Sequence, residues 1–108
     1  MKIIVTEKIA DKGIELLQNA PGVEVVVYRE IKREELLDVI DQYDAMIVRS
    51  VTKVDEELYK RATRLKVVGR AGNGVDNIDM EGATKRGIIV VNTPESNIVS
   101  ACELTIGL

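Results

Sequence analysis

The chain contains no histidine, no phenylalanine and no tryptophan, and it has a single cysteine and two prolines. The missing histidine removes the commonest general acid/base and the commonest metal ligand, so much chemistry is excluded before any motif is read, and no metal site is assigned. A lone cysteine excludes an internal disulfide. Cys102 lies in an apolar helical stretch with no base to activate it, and it is read as a packing residue and not a nucleophile. Without Phe or Trp the core must be built from Val, Ile, Leu, Ala and Met, which pack well on both faces of a parallel sheet. A strong charge of either sign is also lacking: 15 basic and 18 acidic residues give a net charge of -3 and are scattered along the chain. No basic stripe marks the chain for nucleic acid or an anionic membrane, so neither is an expected partner. No apolar run is long enough to span a bilayer and no signal peptide is read at the start, which makes a reducing cytoplasm the expected location.

What is present is an ordinary globular composition, 108 residues with 45% hydrophobic and 31% charged, the size of one compact domain. Short apolar runs alternate with amphipathic stretches, without repeats or linkers. Strands are expected at Lys2 to Val5, Val23 to Val27, Ala45 to Val48, Leu65 to Val68 and Ile88 to Val91. Helices are expected at Ile9 to Asn19, Lys32 to Asp41, Asp55 to Ala62 and Asn77 to Lys85. For the fourth helix Asn77 is read as the N-cap and Lys85-Arg86-Gly87 as the C-terminal signal. Strands separated by helices imply right-handed βαβ units. The expected fold is therefore α/β: a flavodoxin-like three-layer αβα arrangement around a mostly parallel five-stranded sheet. A last helix is expected from Asn97, with a Ser100 to Glu103 capping-box spacing, and its apolar run reaches Leu108 as though the helix were cut short.

Ligands of such sheets bind beyond the carboxyl ends of the strands. The segments expected there are Thr6-Glu7-Lys8, Arg29, Arg49-Ser50, Arg70 to Gly74 and Asn92-Thr93-Pro94. Three arginines on one edge of a slightly acidic chain point to a small anion. For any one of them, solvated surface charge is the simpler alternative. The glycine cluster at Gly69, Gly72 and Gly74 fails as a dinucleotide fingerprint: counted from Gly72, the sixth position is Asn77, where close helix packing requires glycine. Gly72 and Gly74 permit either a nest of N–H groups for an anion or a tight turn that binds nothing. Asn97 offers an amide to a ligand or serves as a plain N-cap.

Three segments, Val48-Arg49-Ser50, Val68 to Asp79, and Val91-Asn92-Thr93-Pro94 followed by Asn97 and Ser100 to Leu104, make the chain resemble the D-isomer-specific 2-hydroxyacid dehydrogenases along its whole length. Within them it resembles the branch acting on 3-phosphoglycerate, because relatives acting on unphosphorylated hydroxyacids often lack an arginine at the position of Arg70. The resemblance implies a substrate-binding domain at 1–96, without the segment that returns to complete it. It implies at 97–108 the start of a helix crossing into a Rossmann cofactor domain. It implies that the backbone of Arg70, Ala71, Gly72, Asn73 and Gly74 holds the substrate carboxylate. Arg49, Ser50 and the Arg70 side chain would face the phosphate, and Asn97 would line the cleft. NAD is the implied cofactor of a complete enzyme, a homo-oligomer, while the cofactor fingerprint and the catalytic arginine, glutamate and histidine would lie beyond position 108. The chain alone is then expected to be inactive and to bind no cofactor, and its last helix offers a surface for self-association. The competing expectations are a free-standing flavodoxin-like or receiver-like binding module and a mere folding scaffold. A receiver would need an acidic residue where Arg49 ends the third strand, and a flavodoxin a Ser/Thr/Gly-rich loop where Glu7-Lys8-Ile9-Ala10 stands.

Overall fold

A computed structural model of the chain describes residues 2–8, 14–15, 18–19, 21–72 and 76–93. The expectations for Asn73, Gly74, Asn97, Cys102 and the last helix, including self-association through it, lie outside the described residues. Five strands are present: β1 (Lys2–Val5), β2 (Glu24–Val27), β3 (Ala45–Val48), β4 (Val67–Ala71) and β5 (Ile89–Thr93). They form one sheet in the order β2-β1-β3-β4-β5. Every pairing is parallel, for example Ile4 with Met46, Met46 with Val68, and Val68 with Val90. This is the flavodoxin-like order expected from the alternation of strands and helices.

Three short helices are described: α1 (Arg33–Val39), which tightens into a 3-10 turn at Ile40–Gln42, then α2 (Glu56–Arg61) and α3 (Met80–Arg86). Their apolar residues Leu36, Leu58 and Ala83 join Ile4, Met46, Val48 and Val68 in a core on one face of the sheet. On the other face Ile3, Val5, Ala45, Ile47, Val67 and Ala71 form a second cluster. Of the first expected helix, Ile14, Glu15, Gln18 and Asn19 are helical, and Ile14 packs against this second cluster. The strands thus separate two apolar layers by simple alternation. All four residues of β3 are buried, as befits a central strand of a parallel sheet.

Three elements depart furthest from the sequence expectation, while β2, α1 and α2 differ by one or two residues at an end. The helix expected at Asn77 begins only at Met80, and Asp79 is its N-cap: the Asp79 carboxylate accepts from the Gly82 N–H at 3.0 Å. Asn77 instead lies in a turn that leads into an isolated parallel bridge between Val54 and Ile78. The Val54 N–H donates to Asn77 O at 2.8 Å and the Asp79 N–H to Val54 O at 2.7 Å. Strand β4 starts at Val67, because Leu65 belongs to the turn after α2, and it runs on through Gly69 and Arg70 to Ala71. Strand β5 extends in step with it, pairing Arg70 with Asn92 and Ala71 with Thr93. A paired neighbour on each side carries β4 past Gly69, a residue type that weakens strand interiors. The expected C-terminal signal of α3 is observed, with Gly87 at φ 70° and ψ 23° closing the helix in the left-handed region.

Candidate functional site

The carboxyl edge of the sheet is assembled from the loops after β1, β3 and β4. Thr6 and Glu7 follow β1 and are buried, although both are polar. The Glu7 carboxylate reaches the loop after β3 and accepts from the N–H groups of Arg49 (2.8 Å), Val51 (3.0 Å) and Thr52 (3.0 Å). The Thr6 and Thr52 hydroxyls lie 2.9 Å apart. Burial pushes the Glu7 carboxyl up, but the N–H groups of Thr52, Arg49 and Val51 and the Thr52 hydroxyl outweigh it and hold the group below its ordinary value. Glu7 is therefore an ionised carboxylate at the centre of an edge that the arginines alone make look cationic. It occupies N–H groups that would otherwise be open to an incoming anion.

A second clamp closes on the same loop from the other side. Asn77 donates from Nδ2 to the carbonyls of Arg49 (2.6 Å) and Thr52 (2.7 Å), and its Oδ1 accepts from Arg70 Nε at 2.7 Å. Arg70 is thus tied to the segment that carries Arg49 and Ser50. Gly72 follows at φ +136°, a conformation that disfavours side chains, and a Cβ there would stand 3.6 Å from Arg70 Nη1. The Arg70 guanidinium therefore lies against the turn that leaves β4. Arg49 Nη1 donates to Lys8 O at 3.2 Å.

These contacts relate the described members of the expected site to one another. Arg49 and Ser50 line a hollow of about 330 Å³ together with Glu7, Lys8, Arg29, Glu30 and Val51. Arg70 is not among its lining residues. The expected three-arginine edge is therefore divided, with Arg29 and Arg49 around the hollow and Arg70 drawn toward Asn77. Ala71 buries its methyl group in the second apolar cluster, so only its backbone is available to a ligand. A wider cleft of about 620 Å³ lies between α1 and the loop after β3, lined by Arg33, Leu36, Thr52 and Asp55 among others; it adjoins the hollow at Glu30 and Val51 but is lined by neither Arg49 nor Arg70. It contains the Arg33 to Asp55 ion pair at 2.7 Å, which joins α1 to the capping residue of α2.

No helix opens directly from the described part of the glycine turn. A pyrophosphate cradle needs a helix opening directly from its glycines, whereas α3 starts at Met80 after the Val54 to Ile78 bridge has been made. Among the described residues no group of acidic or cysteine side chains is arranged to hold a metal ion, and no helix is long and apolar enough to cross a membrane. Glu7 and Asn77 are the functional-edge residues whose roles sequence reasoning missed. The available signal for Glu7 was a carboxylate two positions after a buried apolar strand. For Asn77 it was a second cap-competent residue two positions ahead of Asp79.

Residues 3–106 match the family described as D-isomer specific 2-hydroxyacid dehydrogenase, catalytic domain, and the chain belongs to that family. Within it, the chain is 47% identical over 108 residues to D-3-phosphoglycerate dehydrogenases of Methanocaldococcus jannaschii and Archaeoglobus fulgidus, covering all of this chain and 20% of each relative. The crystal structure of an NAD+-bound 3-phosphoglycerate dehydrogenase of Entamoeba histolytica superposes with a TM-score of 0.76 at 40% identity, covering 99% of this chain and 37% of that one. The chain spans about a fifth of the length of the curated relatives it matches.

Proposed function

We propose that the chain forms the substrate-binding part of an NAD-dependent D-3-phosphoglycerate dehydrogenase, a cytoplasmic oxidoreductase of serine biosynthesis. The observation that carries the reading is the placement of Arg49 and Arg70 at the ends of neighbouring strands, joined through one Asn77 side chain next to the Gly72 turn. Such an edge suits a small substrate with an anionic group at each end. In this reading Arg49, Ser50 and the Arg70 side chain take the phosphate. The backbone from Arg70 through Ala71, Gly72, Asn73 and Gly74 takes the carboxylate, and Asn97 lines the cleft. Residues 1–96 serve as the substrate domain, and 97–108 begin the helix into a cofactor domain. The high identity to dehydrogenases of this specificity supports the same assignment.

The reaction converts the D-hydroxyl carbon of 3-phosphoglycerate to a ketone, giving 3-phosphohydroxypyruvate. NAD would accept the hydride from that carbon, bound by the remainder of a complete enzyme, since no helix opens directly from the described part of the glycine turn here. The hydroxyl proton must pass to a base that this histidine-free chain does not supply. What these residues contribute is binding and orientation of the two anionic ends, which fixes the hydroxyl-bearing carbon between them.

Chemical-shift titration of the isotope-labelled chain with 3-phosphoglycerate tests the assignment. Perturbations are expected to concentrate at Arg49, Ser50, Arg70 and Gly72, and D-lactate, which lacks the phosphate, should bind about tenfold more weakly or worse. Perturbations scattered away from these residues, or equal affinity for D-lactate, would contradict it.

A further inference from the structure

We propose that Asn77 is a positioning residue for anion recognition, acting through Arg70 and through the loop that carries Arg49; the inference rests on the anion-site reading above. The Asn77 carboxamide makes three hydrogen bonds, one accepted from Arg70 Nε and one donated to each of the Arg49 and Thr52 carbonyls. Only one orientation of the amide satisfies them. Turning it over would set an NH2 against Arg70 Nε and an oxygen against two carbonyl oxygens.

The bond to Nε matters because the guanidinium is a rigid planar fork. Fixing Nε fixes the direction of the whole group, and here the Nη1 end lies toward the Gly72 turn. The side-chain entropy of Arg70 is then lost on folding instead of on binding, which favours affinity. The same Asn77 side chain fixes the carbonyls of Arg49 and Thr52, while Glu7 fixes the N–H groups of Arg49, Val51 and Thr52 from the opposite side. The loop bearing Arg49 and Ser50 is thereby locked in register with Arg70. The backbone at Asn77 is held independently by the ladder to Val54. Loss of the side chain should therefore loosen the two arginines without unfolding the segment.

The test is a set of titrations with 3-phosphoglycerate, followed by chemical shift, on the wild-type chain, Asn77→Ala, Arg70→Lys and the double variant. Asn77→Ala is expected to weaken binding about tenfold, with the amide spectrum otherwise retained and the Arg70 Nε–H resonance moved toward its free position. Arg70→Lys keeps the charge but loses the oriented Nε donor, and should weaken binding to a similar extent. The double variant should lie within about twofold of the weaker single variant, because the two residues act as one unit. If Arg70→Lys weakens binding and Asn77→Ala stays within about twofold of wild type, the positioning role is overturned and the anion site stands. Fully multiplicative losses overturn it as well. Should Asn77→Ala fail to fold, Arg70→Lys decides alone, and unchanged affinity there refutes the role. A wild-type chain with no shifts at Arg49, Ser50 or Arg70 refutes both the site and the role.

Discussion

The Glu7 carboxylate accepts three backbone N–H groups of one loop while only 6% exposed, and removing its charge should be felt as stability before it is felt as binding. Hydrogen bonds to a buried charged acceptor contribute more than neutral ones. Glu7→Gln keeps the shape but turns an NH2 toward N–H donors, and is expected to cost about 1–3 kcal/mol at neutral pH. The pH dependence follows from the direction of the shift. The folded-state value lies below the ordinary 4.5, so the stabilisation is complete above 4.5 and is lost as pH falls through the folded value. Urea denaturation of wild type and Glu7→Gln should show the gap between them at pH 7 shrinking in acid; a gap that stays constant would mean that the charge contributes nothing. Composition and pattern could not foretell this role. Carboxylates are rarely buried, and the donors stand 42, 44 and 45 residues away in the chain. Asn77 was hidden for the same reason. Its type was legible as a polar group near a helix start, but its partners at Arg49 and Thr52 are set by the pairing of β3 with β4.

At the level of single elements, local chemistry was sufficient wherever it had no rival. The bounds of β1 and β3 are those expected from their apolar runs, and Asp55, the first residue of the expected helix, is the N-cap of α2, its carboxylate accepting from the Leu58 N–H at 3.2 Å. Where two cap-competent residues stood two apart, the long-range bridge from Val54 to Ile78 decided in favour of Asp79 over Asn77. The start of α3 is then packed tightly. Tyr59 donates its hydroxyl to Asp79 O at 3.0 Å, and burial, with the Asp79 charge, pushes its phenol up to about 12. Arg86 stacks over the same ring at 5.6 Å and pairs with Glu56 at 2.7 Å. Gly82 sits beneath this arrangement: a Cβ there would lie 2.6 Å from Asp79 Oδ2 and 3.0 Å from two carbons of Tyr59. Alanine improves helix propensity by about 1 kcal/mol. Here it should nonetheless destabilise by about 1–3 kcal/mol, because the capping carboxylate and the ring must both move. Thermal melts of Gly82→Ala give the sign directly, and a raised melting temperature would show that the ring yields easily.

For the molecule as a whole, the parallel order β2-β1-β3-β4-β5 brings the loops after β1, β3 and β4 to one edge, where the proposed anion site lies. Right-handed crossovers made this order legible, since few other arrangements of five alternating units are allowed. The division of the arginines around the buried Glu7 was not legible, because it depends on which loop amides the carboxylate takes. The edge offers oriented guanidinium groups and a glycine turn, but neither a helix opening from that turn for a pyrophosphate nor a histidine to take the hydroxyl proton. The 108-residue chain mixed with 3-phosphoglycerate and NAD is therefore expected to produce no reduced nicotinamide, as followed by its absorbance. Supplying a cofactor domain of the family in trans, or fused after Leu108, should restore turnover. Arg70→Ala in the restored enzyme should then reduce kcat/KM for 3-phosphoglycerate by at least about tenfold, while leaving the affinity for NAD unchanged. Turnover by the isolated chain would place a proton acceptor and a cofactor site in these residues and overturn the division of labour. An equal loss of NAD affinity would move Arg70 from the substrate to the cofactor.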